Sequence, residues 1–275
     1  MKSILLLTDF SDNAFLAAEY ACMLAKKWKT EHIVIFYADQ ANAALESMPT
    51  VAAGREELRN ETIHTLEVWQ GSLRQLAGPG VEVSFFMEDT ILESRINRIC
   101  EEKKIDLVVM GITGRTGMEK LLIGSNAIRV MENIRYPLLI VPSETVVEYP
   151  QKVVLATDLK DVREKMDTPL LLKVLDTLES ALLVVNVSQK EGEVTGLRDQ
   201  IGDTHSLLDK YHATYHYIND PDIVTGINDF TNEKDAGLII ALHRHQNGLA
   251  AIFRKSVTKR LAWHSNIPVL VLPVS

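Results

Sequence analysis

Cysteine is scarce in this chain, which has only Cys22 and Cys100 among its 275 residues and no C-x-x-C spacing. This scarcity excludes a disulfide framework, gives no indication of a zinc site and favours a reducing compartment. Long hydrophobic runs are missing as well. The first apolar run, residues 4–7, stops at Thr8 and Asp9, so it is too short for a signal peptide, and no other run is long enough to span a bilayer. We therefore expect a cytoplasmic protein that does not enter a membrane.

Positive charge is not in excess either. The chain carries 29 lysines and arginines against 37 aspartates and glutamates, a formal net charge of −8 at pH 7. That balance argues against a protein that binds nucleic acid or a membrane surface, since the phosphates of either would go unneutralised. Hydrophobic residues make up 46% and charged residues 24%, which is typical of a globular protein, and the length suits one large or two ordinary domains.

Several motifs of known chemistry are missing. The sequence has no G-x4-G-K-[S/T] P-loop and no G-x-G-x-x-G after its first predicted strand, so it has no evident machinery for efficient hydrolysis of nucleoside triphosphates. It also has neither a G-x-S-x-G nucleophile elbow nor an H-E-x-x-H helix. No catalytic residue and no metal ligand is predicted, and no enzyme activity beyond weak ATP hydrolysis is expected.

Three segments of the chain recur in the same order. Residues 2–9 (KSILLLTD) return as 152–158 (KVVLATD), 105–109 (IDLVV) as 236–240 (AGLII), and 136–142 (YPLLIVP) as 267–273 (IPVLVLP). A tandem duplication explains this better than chance does. The sequence therefore predicts two domains, at residues 1–144 and 150–275, joined by the polar, proline-ending segment 143–150.

Each copy alternates short apolar strands with helices. In the first copy the predicted strands are residues 4–8, 32–37, 81–87, 107–110 and 138–141, and the predicted helices are 13–28, 55–76, 90–103 and 125–133. This alternation is typical of an α/β fold in which helices cover both faces of a parallel sheet. In such sheets ligands bind at the carboxyl ends of the strands, where the strand order switches.

The most informative motif follows the strand at residues 107–110. A G-x2-G-x9-G-S pattern is followed by an asparagine, at Gly111, Gly114, Gly124, Ser125 and Asn126. A glycine-rich loop that leads into a helix offers free N–H groups and the positive end of the helix dipole, which favours phosphate. In this interpretation the first two glycines let the backbone approach a ligand, and the last three residues contact its phosphates. Alternatively, the glycines only permit turns with positive φ.

Further candidate binding residues lie at neighbouring strand ends, at Thr8, Asp9, Ala38 and Met110. Asp9 suits a contact with a ribose or a base edge, and it equally suits an N-cap or Asx turn for the helix that follows. Ala38 ends the second strand, between Tyr37 and Asp39. Arg115 suits either phosphate neutralisation or a solvated place in the loop.

The second copy lacks most of the glycine motif. At the common offset of 131 residues, the glycines at 111, 114 and 124 are replaced by Leu242, His245 and Lys255. Bulky side chains there would block the approach of backbone to phosphate. The C-terminal domain is therefore predicted to keep the fold without the nucleotide site and to have a structural or partner-binding role.

With these motifs, nearly the whole chain resembles two consecutive domains of the universal stress protein (UspA-type) family. The resemblance rests on residues 7–11 (LTDFS), 111–125 (GITGRTGMEKLLIGS) and 136–142 (YPLLIVP). It implies two tandem Rossmann-like (adenine nucleotide alpha hydrolase-like) domains, each with an open five-stranded parallel sheet. ATP-binding members of the family carry G-x2-G-x9-G-[S/T], so the resemblance also implies ATP, ADP or AMP, with or without Mg²⁺, at the N-terminal domain.

The resemblance also implies which residues hold that nucleotide: Asp9, the strand end near Ala38, Gly111, Gly114, Gly124, Ser125 and Asn126. Asn126 departs from the family, in which a small apolar residue is usual at this position. Family domains commonly pair through their final strand. We therefore expect the two copies to form an intramolecular pseudo-dimer, with a further homodimer as an open alternative.

Three functions follow from these observations. The intact glycine motif favours a nucleotide-binding regulatory protein of the stress response. The degenerate second copy favours a module that binds partners without nucleotide. Related folds also carry out weak ATP hydrolysis or nucleotidyl transfer, which is an argument from fold analogy.

Overall fold

Strands and helices alternate along the part of the chain described by a computed structural model, which comprises residues 1–39, 52–112, 125–159, 168–189, 198–244 and 249–274. These residues cluster into two units, the first ending at Val141 and the second beginning at Pro142. No helix in these ranges has both the length and the apolar character needed to cross a membrane.

The first unit is built around five strands. They are β1 (Ser3–Thr8), β2 (His32–Ala38), β3 (Glu82–Glu88), β4 (Leu107–Ile112) and β5 (Leu138–Pro142). The helices are α1 (Asp12–Trp28), α2 (Ala52–Ala77), α3 (Leu92–Glu102) and α4 (Ser125–Asn133). The strand order is β3-β2-β1-β4-β5, and β1 pairs in parallel with both β2 and β4. The predicted α/β fold with a parallel sheet is confirmed.

The central strands of the first unit are apolar along their length because they are covered on both sides. Ile4, Leu5 and Val108 have no exposed surface. Helix α1 packs against α2, and α3 packs against α4. Since crossovers between parallel strands are right-handed, these two helix pairs cover opposite faces of the sheet.

The second unit repeats this order. Its strands are β6 (Lys152–Ala156), β7 (Ala181–Ser188), β8 (Thr214–Asn219), β9 (Leu238–Arg244) and β10 (Val269–Val274). Its helices are α5 (Thr168–Leu178), α6 (Arg198–Leu208), α7 (Ile223–Glu233) and α8 (Leu249–His264). The strand order is β8-β7-β6-β9-β10, with β6 parallel to β7 and β9.

An ion pair holds the start of α7 in the second unit. Asp222 is the N-cap of this helix, and its Oδ1 accepts a hydrogen bond from the Thr225 backbone N–H at 2.9 Å. Its Oδ2 accepts another from the Arg260 guanidinium on α8 at 2.6 Å. The Thr225 amide and then Arg260 lower the pKa of Asp222 to about 2. At pH values above its ordinary pKa, the Asp222 carboxylate therefore stabilises the folded state. This contribution is lost as the pH falls towards 2.

We expect Asp222→Asn to lower the free energy of unfolding by about 1 kcal/mol at pH 7, because asparagine keeps the cap but not the partly exposed ion pair. The difference from the unsubstituted protein should disappear as the pH falls from 5 to 2, as measured by urea unfolding at each pH. Asp222→Ala, which also removes the cap, should cost more at pH 7. An Asp222→Asn deficit that stays constant down to pH 2 would contradict this assignment.

Candidate nucleotide site

The carboxyl ends of β1, β2 and β4 surround a cavity in the first unit. Strand β1 lies where the strand order switches, with β2 on one side and β4 on the other. The cavity has a volume of about 330 Å³ and is lined by Leu7, Thr8, Asp9, Ala14, Phe36, Tyr37, Ala38, Asp39, Leu92, Met110 and Gly111. It thus lies at the edge where the sequence predicts ligand binding.

Five of the predicted binding residues meet at this cavity: Thr8, Asp9, Ala38, Met110 and Gly111. Gly114, Arg115 and Gly124 lie outside the described residues. Ser125 begins α4, as predicted, and Asn126 is its second residue, but the side chains of both lie outside the described part. The geometry therefore brings together the strand-end half of the predicted site.

Asp9 forms the turn that leads from β1 into α1. Its Oδ1 accepts hydrogen bonds from the Ser11 backbone N–H at 3.0 Å and from the Ser11 hydroxyl at 2.6 Å. Ser11, rather than Asp9, is the N-cap, and its hydroxyl accepts from the Ala14 N–H at 3.2 Å. Within the described part of the chain, Asp9 Oδ2 makes no hydrogen bond. The Asx turn and a ligand contact are therefore compatible, because they use different oxygens.

Phe10 turns the chain between β1 and α1 in an unusual backbone conformation. Its φ is +63°, in the left-handed region that aromatic residues seldom adopt. The Thr8 hydroxyl oxygen accepts a hydrogen bond from the Phe10 N–H at 2.9 Å. The ring stacks on Tyr37 with centroids 4.8 Å apart and meets Trp69 edge-on at 5.8 Å. These contacts hold the turn and keep Asp9 at the cavity mouth.

Tyr37 and Asp39 bring polar groups to the cavity; the sequence places them with Ala38 at a candidate strand end, but only Ala38 is among the predicted binding residues. Burial, followed by the charges of Asp39 and Asp9, raises the pKa of the Tyr37 phenol. The phenol therefore stays protonated at neutral pH and can donate a hydrogen bond. Both residues flank Ala38, and Asp39 directly follows β2. Their position at the end of this strand is the sequence feature that could have identified them as cavity residues.

The structure corrects the position predicted for Gly111. It is not in the loop but inside β4, which continues to Ile112. A Cβ at this position would lie 2.2 Å from the backbone oxygen of Asn13 and 3.0 Å from the nitrogen of Ala14. The glycine is thus required by the first turn of α1, which packs directly on the strand. It still lines the cavity.

We expect Gly111→Ala to lower the free energy of unfolding by about 1–3 kcal/mol, because the added methyl group would push the first turn of α1 away from β4. Gly71→Ala is the matched control, since Gly71 lies within α2 and a Cβ there meets nothing within 4 Å. That control should be neutral or stabilise the protein by up to about 1 kcal/mol. Equal unfolding midpoints for both variants in urea would contradict the close packing at Gly111.

The second unit keeps the turn but changes what surrounds it. The Leu159 N–H donates to the Thr157 hydroxyl at 3.1 Å, and Leu159 has a φ of +60°, as Phe10 does. At the offset of 149 residues Tyr37 is replaced by Asn186, whose amide donates to the Thr157 carbonyl at 2.9 Å. Ser188 replaces Asp39 at the same offset. The second copy thus also differs from the first at the end of β7.

Comparison with known proteins gives consistent results. The family model described as the universal stress protein family matches residues 1–142 and 163–273. A universal stress protein of Methanocaldococcus jannaschii is 35% identical over 144 residues, which are 51% of this chain and 81% of that protein. A second one from the same organism is 26% identical over 153 residues, which are 51% of this chain and 94% of that protein.

Solved structures show the same fold. A universal stress protein from Archaeoglobus fulgidus matches with a TM-score of 0.77 at 19% identity and covers 98% of both chains. A structure from Pseudomonas aeruginosa has a TM-score of 0.60 at 11% identity and covers 100% of this chain and 94% of that one.

Proposed function

The chain belongs to the universal stress protein family, and from this premise we propose that its N-terminal domain binds ATP or a related adenine nucleotide as a regulatory ligand. The observation that carries the proposal is the cavity at the ends of β1, β2 and β4. The G-x2-G-x9-G-S pattern begins inside β4 at this cavity, and family members that bind ATP carry the same pattern. Residues 113–124 of that pattern lie outside the described part, so its phosphate contacts rest on the resemblance.

The described cavity suits the nucleoside end of such a ligand. Its volume is at the small end of the range for ligand pockets, and its walls are mostly apolar, with Leu7, Phe36 and Met110 among them. Asp9 Oδ2 is an available acceptor for a hydroxyl or amino group. No lysine, arginine or histidine lines it among the described residues. The phosphates would therefore extend towards the start of α4, where backbone N–H groups favour anions.

The C-terminal domain has a different role in this proposal. Leu242 has in β9 the position that Gly111 has in β4. The Asn186 side chain donates a hydrogen bond to the carbonyl of Thr157, which directly follows β6. We propose that this domain is structural or binds partners. Pairing of the two domains through their final strands, a further homodimer, participation of Mg²⁺ and a cytoplasmic location remain predictions.

Calorimetric titration with ATP should show about one site per chain. We expect Asp9→Asn to weaken binding about tenfold or more, because the amide keeps the Asx turn through its oxygen but removes the charged acceptor. Asp158→Asn, at the corresponding position of the second copy, is the matched control and should bind like the unsubstituted protein. Two equal sites, or equal losses in both variants, would overturn the assignment of the site to the N-terminal domain.

The regulatory role predicts binding without turnover. With ATP and Mg²⁺, phosphate release should stay at the background rate over hours, because no general base or P-loop lysine is assigned. Steady release that Asp9→Asn abolishes and Asp158→Asn leaves intact would instead support the weak-ATPase alternative.

A further inference from the structure

Two stacked aromatic rings connect the cavity of the first unit to the turn after β1. Tyr37 lines the cavity, and its ring lies on that of Phe10 with centroids 4.8 Å apart and planes 22° apart. We propose, building on the proposed function, that the Tyr37 phenol donates a hydrogen bond to an acceptor atom of the bound nucleoside. Phe10 is a positioning residue for this contact, because it acts on the ligand through the ring of Tyr37.

The place of Tyr37 in the sheet is the first argument. Strands β1 and β2 pair up to the register of Thr8 with Tyr37, directly before the chain leaves β1 at Asp9. The ring therefore starts from the point where the strand order switches. Burial, and then the charges of Asp39 and Asp9, raise the pKa of the phenol, so its oxygen lies within reach of both carboxylates that line the cavity. A phenol that keeps its proton is a hydrogen-bond donor.

The fixed position of Phe10 is the second argument. Its backbone is held at a φ of +63° by the hydrogen bond from its N–H to the Thr8 hydroxyl. Its ring meets Trp69 of α2 edge-on at 5.8 Å, and Trp69 in turn meets Phe15 of α1 edge-on at 5.1 Å. One face of the Tyr37 ring thus lies against a ring that two helices hold in place. Such packing limits the directions in which the phenol can point, which is what a directional hydrogen bond to a ligand requires.

The second copy supplies the contrast. At the offset of 149 residues, Phe10 is replaced by Leu159, which is fully buried and forms the same turn with a φ of +60°. Tyr37 is replaced by Asn186, whose amide donates to the Thr157 carbonyl at 2.9 Å. The turn therefore forms without an aromatic pair. Both rings of the pair belong to the half of the chain that has the intact glycine motif, which connects the pair with the site rather than with the fold.

Deleting one oxygen tests the hydrogen bond. By calorimetry on the full chain, we expect Tyr37→Phe to weaken ATP binding about five- to tenfold, because it keeps the ring stack and removes the donor. Tyr217→Phe, which removes a phenol oxygen from β8 of the second unit, is the matched control and should bind like the unsubstituted protein. Thermal unfolding of each variant checks that it is folded.

The positioning role has its own test. Phe10→Leu introduces the residue that Leu159 provides in the second copy, so the turn should still form, and we expect ATP binding to weaken about threefold or more. Phe15→Leu is the control, since it removes a ring contact with the same Trp69 without touching Tyr37. In the Tyr37→Phe background, Phe10→Leu should weaken binding no further, because the two residues act through one phenol. An equal loss in both backgrounds would overturn the positioning role.

Analogues of ATP that each lack one acceptor identify the partner of the phenol. The 1-, 3- and 7-deaza forms remove base nitrogens, and the 2′- and 3′-deoxy forms remove ribose oxygens. One of them should bind the unsubstituted protein and Tyr37→Phe with equal affinity. If Tyr37→Phe binds ATP like the unsubstituted protein, or loses the same factor with every analogue, the inference is overturned and the proposed function stands. No binding of ATP or a related adenine nucleotide at all would overturn the proposed function, and the inference with it.

Discussion

The candidate site depends on one close contact, between the first turn of α1 and the end of β4. At Gly111 there is no room for a Cβ, because the Asn13 carbonyl occupies that space. Helix α1 can therefore begin at Asp12, directly after the turn at Phe10, and lie against the strand. This packing brings the ends of β1 and β4 and the start of α1 to one point. The cavity exists where these three ends meet β2.

The second unit shows what the fold requires and what it leaves free. Its turn after β6 has the same hydroxyl–amide bond and the same left-handed residue, at Thr157 and Leu159. That turn is therefore a property of the fold. Leu242 lies in β9 at the position that Gly111 has in β4. The turn is thus common to both units, whereas the glycine at this strand position is present only in the first.

Much of the architecture could be predicted from residue patterns. Helix α4 has the predicted bounds, Ser125–Asn133, and most other elements of the first unit differ by one to three residues. Parallel strands covered on both faces appear as continuous apolar runs, which makes them easy to recognise. Thr8, Asp9 and Ala38 could be placed at one edge because parallel strands end on the same side. Tyr37 and Asp39 flank Ala38 and could be placed at the same strand end, but the sequence did not show that their side chains line a cavity.

Residue patterns were thus sufficient for the duplicated α/β fold, its family and the edge of the sheet where the cavity lies. They report burial and local turn chemistry, which act over a few residues. Packing alone decided that Gly111 accommodates a helix, that Asp9 Oδ1 is held in the turn, and that Asp9 and Asp39 line the same cavity. Each of these depends on distances between segments far apart in sequence, and such distances are set only when helices and strands pack together.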